Sequence, residues 1–178
     1  LFLNDLLYCL AECPAGIKIG DTTMNSFAYA DDITLFASTV PGLQHLINIC
    51  NDCACKRRFS FGIQKKTKYM TTGKPLLSLP PSCMLGAQTI ENVSSLEILG
   101  VTISSDLNIN LHAEKRIQAC RKAMFSLSTL GYSSNGLAAS TKTYLWKSIG
   151  LPTLSYGLET QYIIEKNIQR IESAQNPV

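Results

Sequence analysis

Residues 27–37 of this chain read Phe-Ala-Tyr-Ala-Asp-Asp-Ile-Thr-Leu-Phe-Ala. Two adjacent carboxylates, Asp31 and Asp32, lie between two short runs of residues that are mostly apolar and favour β-strands. Because Asp is depleted in strands, the pair predicts a turn, and the flanks 27–30 and 33–37 predict the two arms of a hairpin. We therefore expect a hairpin on an apolar support, with both acids displayed at its tip.

Two carboxylates at one hairpin tip repel each other. At a separation of about 4 Å the repulsion is roughly 4 kcal/mol for an effective dielectric constant of about 20. Proteins relieve such repulsion by sharing a proton or by binding a cation, and Mg²⁺ prefers carboxylate oxygens combined with substrate phosphates. The alternative is a solvated acidic turn, which an Asp-Asp pair alone favours, whereas apolar flanks on both sides favour a cation site.

The composition is that of a globular protein. The chain has 178 residues, of which 46% are hydrophobic and 16% charged, enough for one domain or two small lobes. The net charge of +3 is compatible with a polyanionic partner without identifying one. The chain has an odd number of cysteines (7), and it shows neither a secretory signal nor a membrane-spanning apolar run. These features predict an intracellular protein, nuclear or cytoplasmic, with no membrane partner. Because the chain starts at Leu1, directly in an apolar segment, we expect it to be a piece of a longer protein.

Periodicity predicts strands and turns up to about residue 104 and helices after it, which is an α+β arrangement of two lobes. In the first lobe, apolar spacing predicts helices over 1–10 and 43–54, and the runs 84–90 and 95–104 predict one strand each. Gly100, inside the second of these strands, predicts a bulge or a close backbone approach. The helices predicted for the second lobe cover 111–130, 136–149 (ending before Pro152) and 165–175.

The segment Phe27-Ala28-Tyr29-Ala30-Asp31-Asp32 resembles the active-site signature of reverse transcriptases, in the Ala-Asp-Asp form common in non-LTR (LINE-type) retrotransposons. Four further segments are similar to segments of that family, and all five occur along this chain in the same order as in the family. Residues 1–6 are similar to the stretch after the glycine-containing substrate motif, and Lys66-Thr67 is similar to the Lys-Ser/Thr near the nucleotide. Residues 96–101 are similar to the strand that grips the primer end. The thumb is matched by His112, Arg116 and 151–157. On these five ordered matches the chain is identified as a member of the family.

The resemblance implies the C-terminal part of a right-hand polymerase palm over residues 1–104, with an antiparallel hairpin, a packed helix and the primer-grip strands, followed by an α-helical thumb over 105–178. It implies that deoxynucleoside triphosphates are added to the 3′ end of a DNA primer on an RNA template, with two divalent ions, Mg²⁺ or Mn²⁺. The implied metal ligands are Asp31 and Asp32. Lys66 is the implied catalytic residue that approaches the triphosphate or gives a proton to pyrophosphate.

Three more residues receive a role from the same resemblance. Tyr29 is expected beside the primer terminus, and Leu99 and Gly100 are expected to position the primer backbone. The family's other metal-binding Asp and its fingers have no match in this sequence. We therefore expect the isolated chain to be inactive, and the rest of a parent polyprotein, with fingers and in some elements an endonuclease, to be a partner.

Other functions fit the sequence less well. A non-catalytic nucleic-acid-binding remnant of a decayed retroelement is the main alternative, and a metal-dependent phosphohydrolase lacks further acidic or His ligands at suitable positions. A zinc site at Cys50, Cys53 and Cys55 with His45 is also conceivable from residue types. Because all three cysteines fall on one predicted helix and Cys50 lies in its apolar stripe, we predict core packing there instead.

Overall fold

The computed structural model describes residues 3–62, 66–73, 82–132, 136–160 and 165–173. Its contacts divide the chain into two compact units, Leu1–Ser94 and Ser95–Val178. The fold is a mixture of helices and small two-stranded sheets, most of them antiparallel. The predicted combination of helices with antiparallel hairpins is confirmed at this coarse level. Among the described residues, no helix is both long and apolar enough to cross a membrane.

The first unit alternates short hairpins with two helices that form its core. In chain order the elements are α1 (Asn4–Ala11), β1 (Ile17–Ile19), β2 (Thr22–Met24), β3 (Ser26–Tyr29), β4 (Asp32–Leu35), α2 (Val40–Arg57), β5 (Lys68–Tyr69), β6 (Met84–Leu85), β7 (Gln88–Thr89) and β8 (Glu91–Asn92). Strands β1 and β2, β3 and β4, and β6 and β7 pair antiparallel, whereas β5 and β8 pair in parallel. The single strand predicted over 84–90 is wrong, because Gly86, with a φ of 60°, turns the chain between β6 and β7.

Helix α2 begins and ends with recognisable signals. The Thr39 hydroxyl accepts a hydrogen bond from the Gly42 backbone N–H at 3.2 Å, and Pro41 occupies the first turn, where its missing N–H costs nothing. The helix ends at Arg57, because the next residue, Arg58, has a φ of 56° in the left-handed region. Between these ends, Leu46 and Cys50 on α2 pack against Leu6 and Leu10 on α1.

The second unit joins one hairpin to the helices. Strand β9 (Ser95–Ile98) pairs antiparallel with β10 (Val101–Ser104), and the following helices are α3 (Asn110–Ser126), α4 (Ala139–Leu145), α5 (Leu151–Ser155) and α6 (Glu165–Ser173). By its contacts the hairpin belongs to this unit, which begins at Ser95, and a side chain of α3 hydrogen-bonds to the backbone of β10. The helix predicted over 111–130 is confirmed, since a 3₁₀ turn extends α3 to Leu130 and Gly131 ends it with a φ of 86°.

The prediction of a helix ending before Pro152 is wrong. A wide π-helical turn over Trp146–Gly150 connects α4 directly to α5, and Pro152 lies in the first turn of α5. A π turn changes the hydrogen-bond spacing, so the backbone accommodates a proline that would break a regular α-helix. The helix predicted over 165–175 is present as α6, and residues 174 and 175 lie outside the described part of the chain.

Candidate active site

The acidic hairpin is closed by a two-residue loop. Tyr29 at the end of β3 pairs with Asp32 at the start of β4, which leaves Ala30 and Asp31 as the loop. The predicted hairpin is confirmed, but Asp32 belongs to the returning strand and only Asp31 lies in the loop. Ala30 has a φ of 53°, a conformation that favours glycine and is typical of the first loop position in a type II′ turn.

The hairpin exposes its polar end and packs its apolar residues. Asp31 and Asp32 are exposed, and the Tyr29 side chain is 65% exposed. Ile33 and Leu35, further along β4, pack against the α1–α2 core. The apolar support predicted from the flanks is therefore present, and it is the buried face of α2.

A buried side chain that sequence reasoning missed connects the base of this hairpin to α1. Asn25 lies between β2 and β3, is 6% exposed, and its amide nitrogen donates to the backbone oxygens of Leu10 and Cys13. The backbone oxygen of Asn25 in turn accepts from the Phe36 N–H at 2.8 Å, just beyond β4. Asn25 thereby satisfies two carbonyls at the end of α1 and fixes where the hairpin starts.

The two carboxylates suit a hard divalent cation. No ion pair of the described residues involves Asp31 or Asp32, so their oxygens are not neutralised by a protein cation. The same residues contain no group of three His, Cys, Asp or Glu side chains arranged to hold a metal. Mg²⁺ is commonly held by one or two carboxylates completed by substrate phosphates and water, and the pair fits that mode of binding.

Lys66 lies in the first unit, in a turn just before β5, which belongs to a different sheet from the hairpin. It is exposed, in a turn that ends where Thr67 donates from its backbone N–H to the Gly62 oxygen at 3.1 Å. The strand that follows, β5, pairs with β8 and not with β3 or β4. The structure thus leaves Lys66 as an exposed cation beside a short parallel ladder.

The three cysteines of α2 differ in how far they are buried. Cys50 is buried in the core with Leu46, Cys53 is half-buried, and Cys55 is exposed. Burial raises the pKa of the Cys50 thiol to about 12, so this side chain stays a neutral, apolar packing group. The packing predicted for Cys50 is confirmed.

The segment expected to grip the primer end is a hairpin turn. Leu99 and Gly100 connect β9 to β10, both with positive φ (51° and 78°), as in a type I′ turn. The single strand predicted over 95–104 is therefore wrong. The close backbone approach predicted at Gly100 is confirmed, because a Cβ added there would lie 3.2 Å from a ring carbon of Tyr156.

Tyr156 and His112 hold this turn from the helical part of the second unit. The Tyr156 hydroxyl donates to the Leu99 oxygen at 2.7 Å. The His112 side chain, 1% exposed, accepts at Nδ1 from the Thr102 backbone N–H at 3.2 Å. Because Nδ1 accepts, Nε2 carries the proton of the neutral ring and donates to the Tyr156 backbone oxygen, 3.0 Å away. The matched thumb segment contained both residues, but no sequence pattern indicated this network.

The loop conformation of Ala30 gives a direct test of the hairpin. Replacing Ala30 by Gly is expected to raise the free energy of unfolding by about 0.5–1 kcal/mol, since it removes the clash of a Cβ at positive φ. The matched control is Ala28→Gly in β3, which is expected to lower stability by about 0.5–1 kcal/mol because glycine weakens a strand interior. Urea unfolding of both variants measures the difference, and destabilisation by both would contradict the turn geometry.

The predicted site residues fall into both units. Tyr29, Asp31, Asp32 and Lys66 belong to the first unit, and Leu99 and Gly100 to the second. In comparisons with known proteins, no family model, no curated protein and no solved structure matches this chain.

Proposed function

We propose that this chain is part of the RNA-directed DNA polymerase of a non-LTR retrotransposon, containing a portion of its palm and its thumb. The observation that carries the proposal is the Tyr29–Asp32 hairpin. It presents two exposed carboxylates, neither of them in an ion pair with a described residue, at the end of a short ladder backed by α2. A tight, helix-backed support of this kind is what a metal-binding pair needs in order to keep its oxygens in place.

In this proposal Asp31 and Asp32 hold the divalent ion, Mg²⁺ or Mn²⁺. When bound, such an ion lowers the pKa of the primer hydroxyl and stabilises negative charge on the leaving pyrophosphate. The two carboxylates orient the ion, and we assign the primer terminus to the ring of Tyr29, which is exposed and pairs across the ladder with Asp32. Lys66 is the cation assigned to the triphosphate or the departing pyrophosphate.

The proposed primer contact uses the Leu99–Gly100 turn. Its backbone is held by the Tyr156 hydroxyl, and the Leu99 side chain is 41% exposed. A turn with fixed backbone groups positions a strand without reading its sequence, as a polymerase requires. We expect the chain to bind an RNA template annealed to a DNA primer.

Binding is expected without primer extension by this chain alone. The polymerases that this chain resembles use a further metal-binding aspartate and a fingers subdomain, and neither has a match in this sequence. Mg²⁺-dependent extension of a primer on poly(rA), abolished by Asp31→Ala, would overturn this expectation.

The metal assignment is tested by affinity cleavage. Fe²⁺ bound in place of Mg²⁺ and supplied with ascorbate and peroxide generates radicals that cut the nearby backbone, so cleavage is expected at residues 29–33. Asp31→Asn is expected to reduce this cleavage at least about tenfold, because it removes a charged oxygen ligand. The matched control is Asp21→Asn, which changes an exposed acid on the β1–β2 turn by the same charge.

Three outcomes separate the possibilities. Cleavage at 29–33 that is lost in Asp31→Asn and kept in Asp21→Asn supports the site. Equal cleavage at both acidic turns would show only diffuse attraction of cations and would overturn the metal assignment. Binding of the primer–template without any local cleavage would favour the non-catalytic nucleic-acid-binding alternative.

A further inference from the structure

Arg116 lies one helical turn after His112 on α3 and over the ring of Tyr156. Its guanidinium carbon is 5.6 Å from the centre of the Tyr156 ring, within the range of a cation–π contact. The same ring contacts Gly100, and its hydroxyl binds the Leu99 oxygen. Tyr156 therefore connects a positive charge to the turn assigned to the primer.

The charge of Arg116 is not compensated within the described residues. The nearby carboxylates have other partners, because Glu97 pairs with Lys115 at 3.4 Å and Glu114 pairs with Arg170 at 2.9 Å. The Nε atom of Arg116 is buried and makes no hydrogen bond to the part of the chain that the structure describes. Buried donors are rarely left unpaired, so this atom indicates that the guanidinium is prepared for an anion.

The surroundings favour a phosphate on a strand over a small free ion. Tyr156 is 49% exposed and Leu99 is 41% exposed, so the guanidinium is flanked by an accessible aromatic ring and an apolar side chain. Planar guanidinium groups bind phosphate oxygens through two parallel hydrogen bonds, and aromatic faces stack on nucleotide bases. A phosphodiester with an adjoining base satisfies all three groups together, which inorganic phosphate does not.

We propose that Arg116, held over the Tyr156 ring, binds a backbone phosphate of a polynucleotide strand lying against the Leu99–Gly100 turn. The assignment rests on the proposed function, since it takes the strand to be the primer or its template. Arg116 supplies charge and a bidentate donor, while Tyr156 orients the guanidinium and the turn together.

The test measures binding of a fluorescent DNA primer annealed to an RNA template by anisotropy, between about 50 and 200 mM salt. Arg116→Gln is expected to weaken binding about tenfold, as expected for a lost charged hydrogen bond. It is also expected to reduce the slope of log affinity against log salt by about 0.7–0.9, the value for one phosphate contact. Arg121→Gln is the matched control, because Arg121 is an exposed arginine on the same helix and carries the same charge.

Arg116→Lys separates charge from geometry. It is expected to keep the salt slope and lose part of the affinity, since lysine lacks the planar fork. Circular dichroism and thermal unfolding of each variant show whether the second unit stays folded, and Arg116→Lys serves as the test if Arg116→Gln does not fold.

Each outcome decides between the two proposals. Equal effects of Arg116→Gln and Arg121→Gln would overturn the phosphate site and leave the proposed function standing. Absence of any binding by the unchanged chain would overturn both. A competition with inorganic phosphate gives the last outcome. If low millimolar phosphate displaces the strand from the unchanged chain but not from Arg116→Gln, the site is a general anion site and the polynucleotide assignment is overturned.

Discussion

Replacing His112 by Ala is expected to lower the free energy of unfolding of the second unit by about 3–5 kcal/mol. The side chain is 1% exposed and bridges the Thr102 N–H at 3.2 Å to the Tyr156 oxygen at 3.0 Å. Its removal takes away a hydrogen-bond partner of a buried donor and of a part-buried acceptor, at about 1–3 kcal/mol each, and opens a cavity. Denaturant unfolding, with hydrogen exchange at the Thr102 amide as a local readout, measures the loss.

Two further variants make the His112 prediction specific. His45→Ala removes an exposed histidine on α2 and is expected to change stability by less than about 0.5 kcal/mol. His112→Gln keeps a donor that can reach the Tyr156 oxygen, so we expect it to lose less than His112→Ala. A loss under about 1 kcal/mol for His112→Ala would contradict the bridging role, since each unpaired buried group alone costs that much.

Replacing Asn25 by Leu is expected to destabilise the first unit by about 2–4 kcal/mol. The change keeps the approximate size of the side chain but removes both donated hydrogen bonds, so the Cys13 oxygen loses the Asn25 amide and the Leu10 oxygen keeps its bond from the Cys13 backbone N–H at 3.0 Å. Because Asn25 fixes the base of the acidic hairpin, amide exchange in β3 and β4 is expected to accelerate as well. Urea unfolding and hydrogen exchange measure the two effects.

The control for Asn25 is an asparagine on the surface. Asn48 lies on α2, is exposed, and its side chain accepts a hydrogen bond from Gln44 at 2.8 Å. Asn48→Ala is expected to change stability by no more than about 0.5 kcal/mol. If Asn25→Leu behaves like Asn48→Ala, the amide of Asn25 does not hold α1 to the hairpin, and the explanation of the hairpin's position is wrong.

Local patterns predicted the helices and the acidic hairpin well. Helices α2 and α3 follow from the spacing of apolar residues, and the pair of acids between apolar flanks predicted the turn between β3 and β4. Turns inside apolar runs were missed, as at Gly86 and at Leu99–Gly100. A run of strand-forming residues looks the same whether it continues or folds back, and Leu99 carries no signal for the positive φ that it adopts.

The supports of the two candidate regions were not predictable from the sequence. Asn25 binds oxygens 12 and 15 residues earlier in the chain, and His112 joins backbone groups 10 residues before it and 44 residues after it. Such partners are set by how the elements pack, and neither residue has a neighbour in sequence that indicates them. The Arg116 Nε atom, which makes no hydrogen bond to the described residues, is likewise visible only in the folded chain, where Glu97 and Glu114 have other partners.

Residue types and short-range spacing were enough to predict the class of elements, the exposed acidic pair at one end of a hairpin and the order of motifs from which we propose a polymerase. These features depend on residue type and on spacing within a few turns or strands, which the chain carries locally. Tertiary contacts were needed to see that Asp32 lies in a strand while Asp31 lies in the loop, that Leu99 and Gly100 form a turn, and that Tyr156 holds it. Backbone reversals and buried hydrogen bonds are satisfied by groups distant in sequence, so their partners exist only in the folded chain.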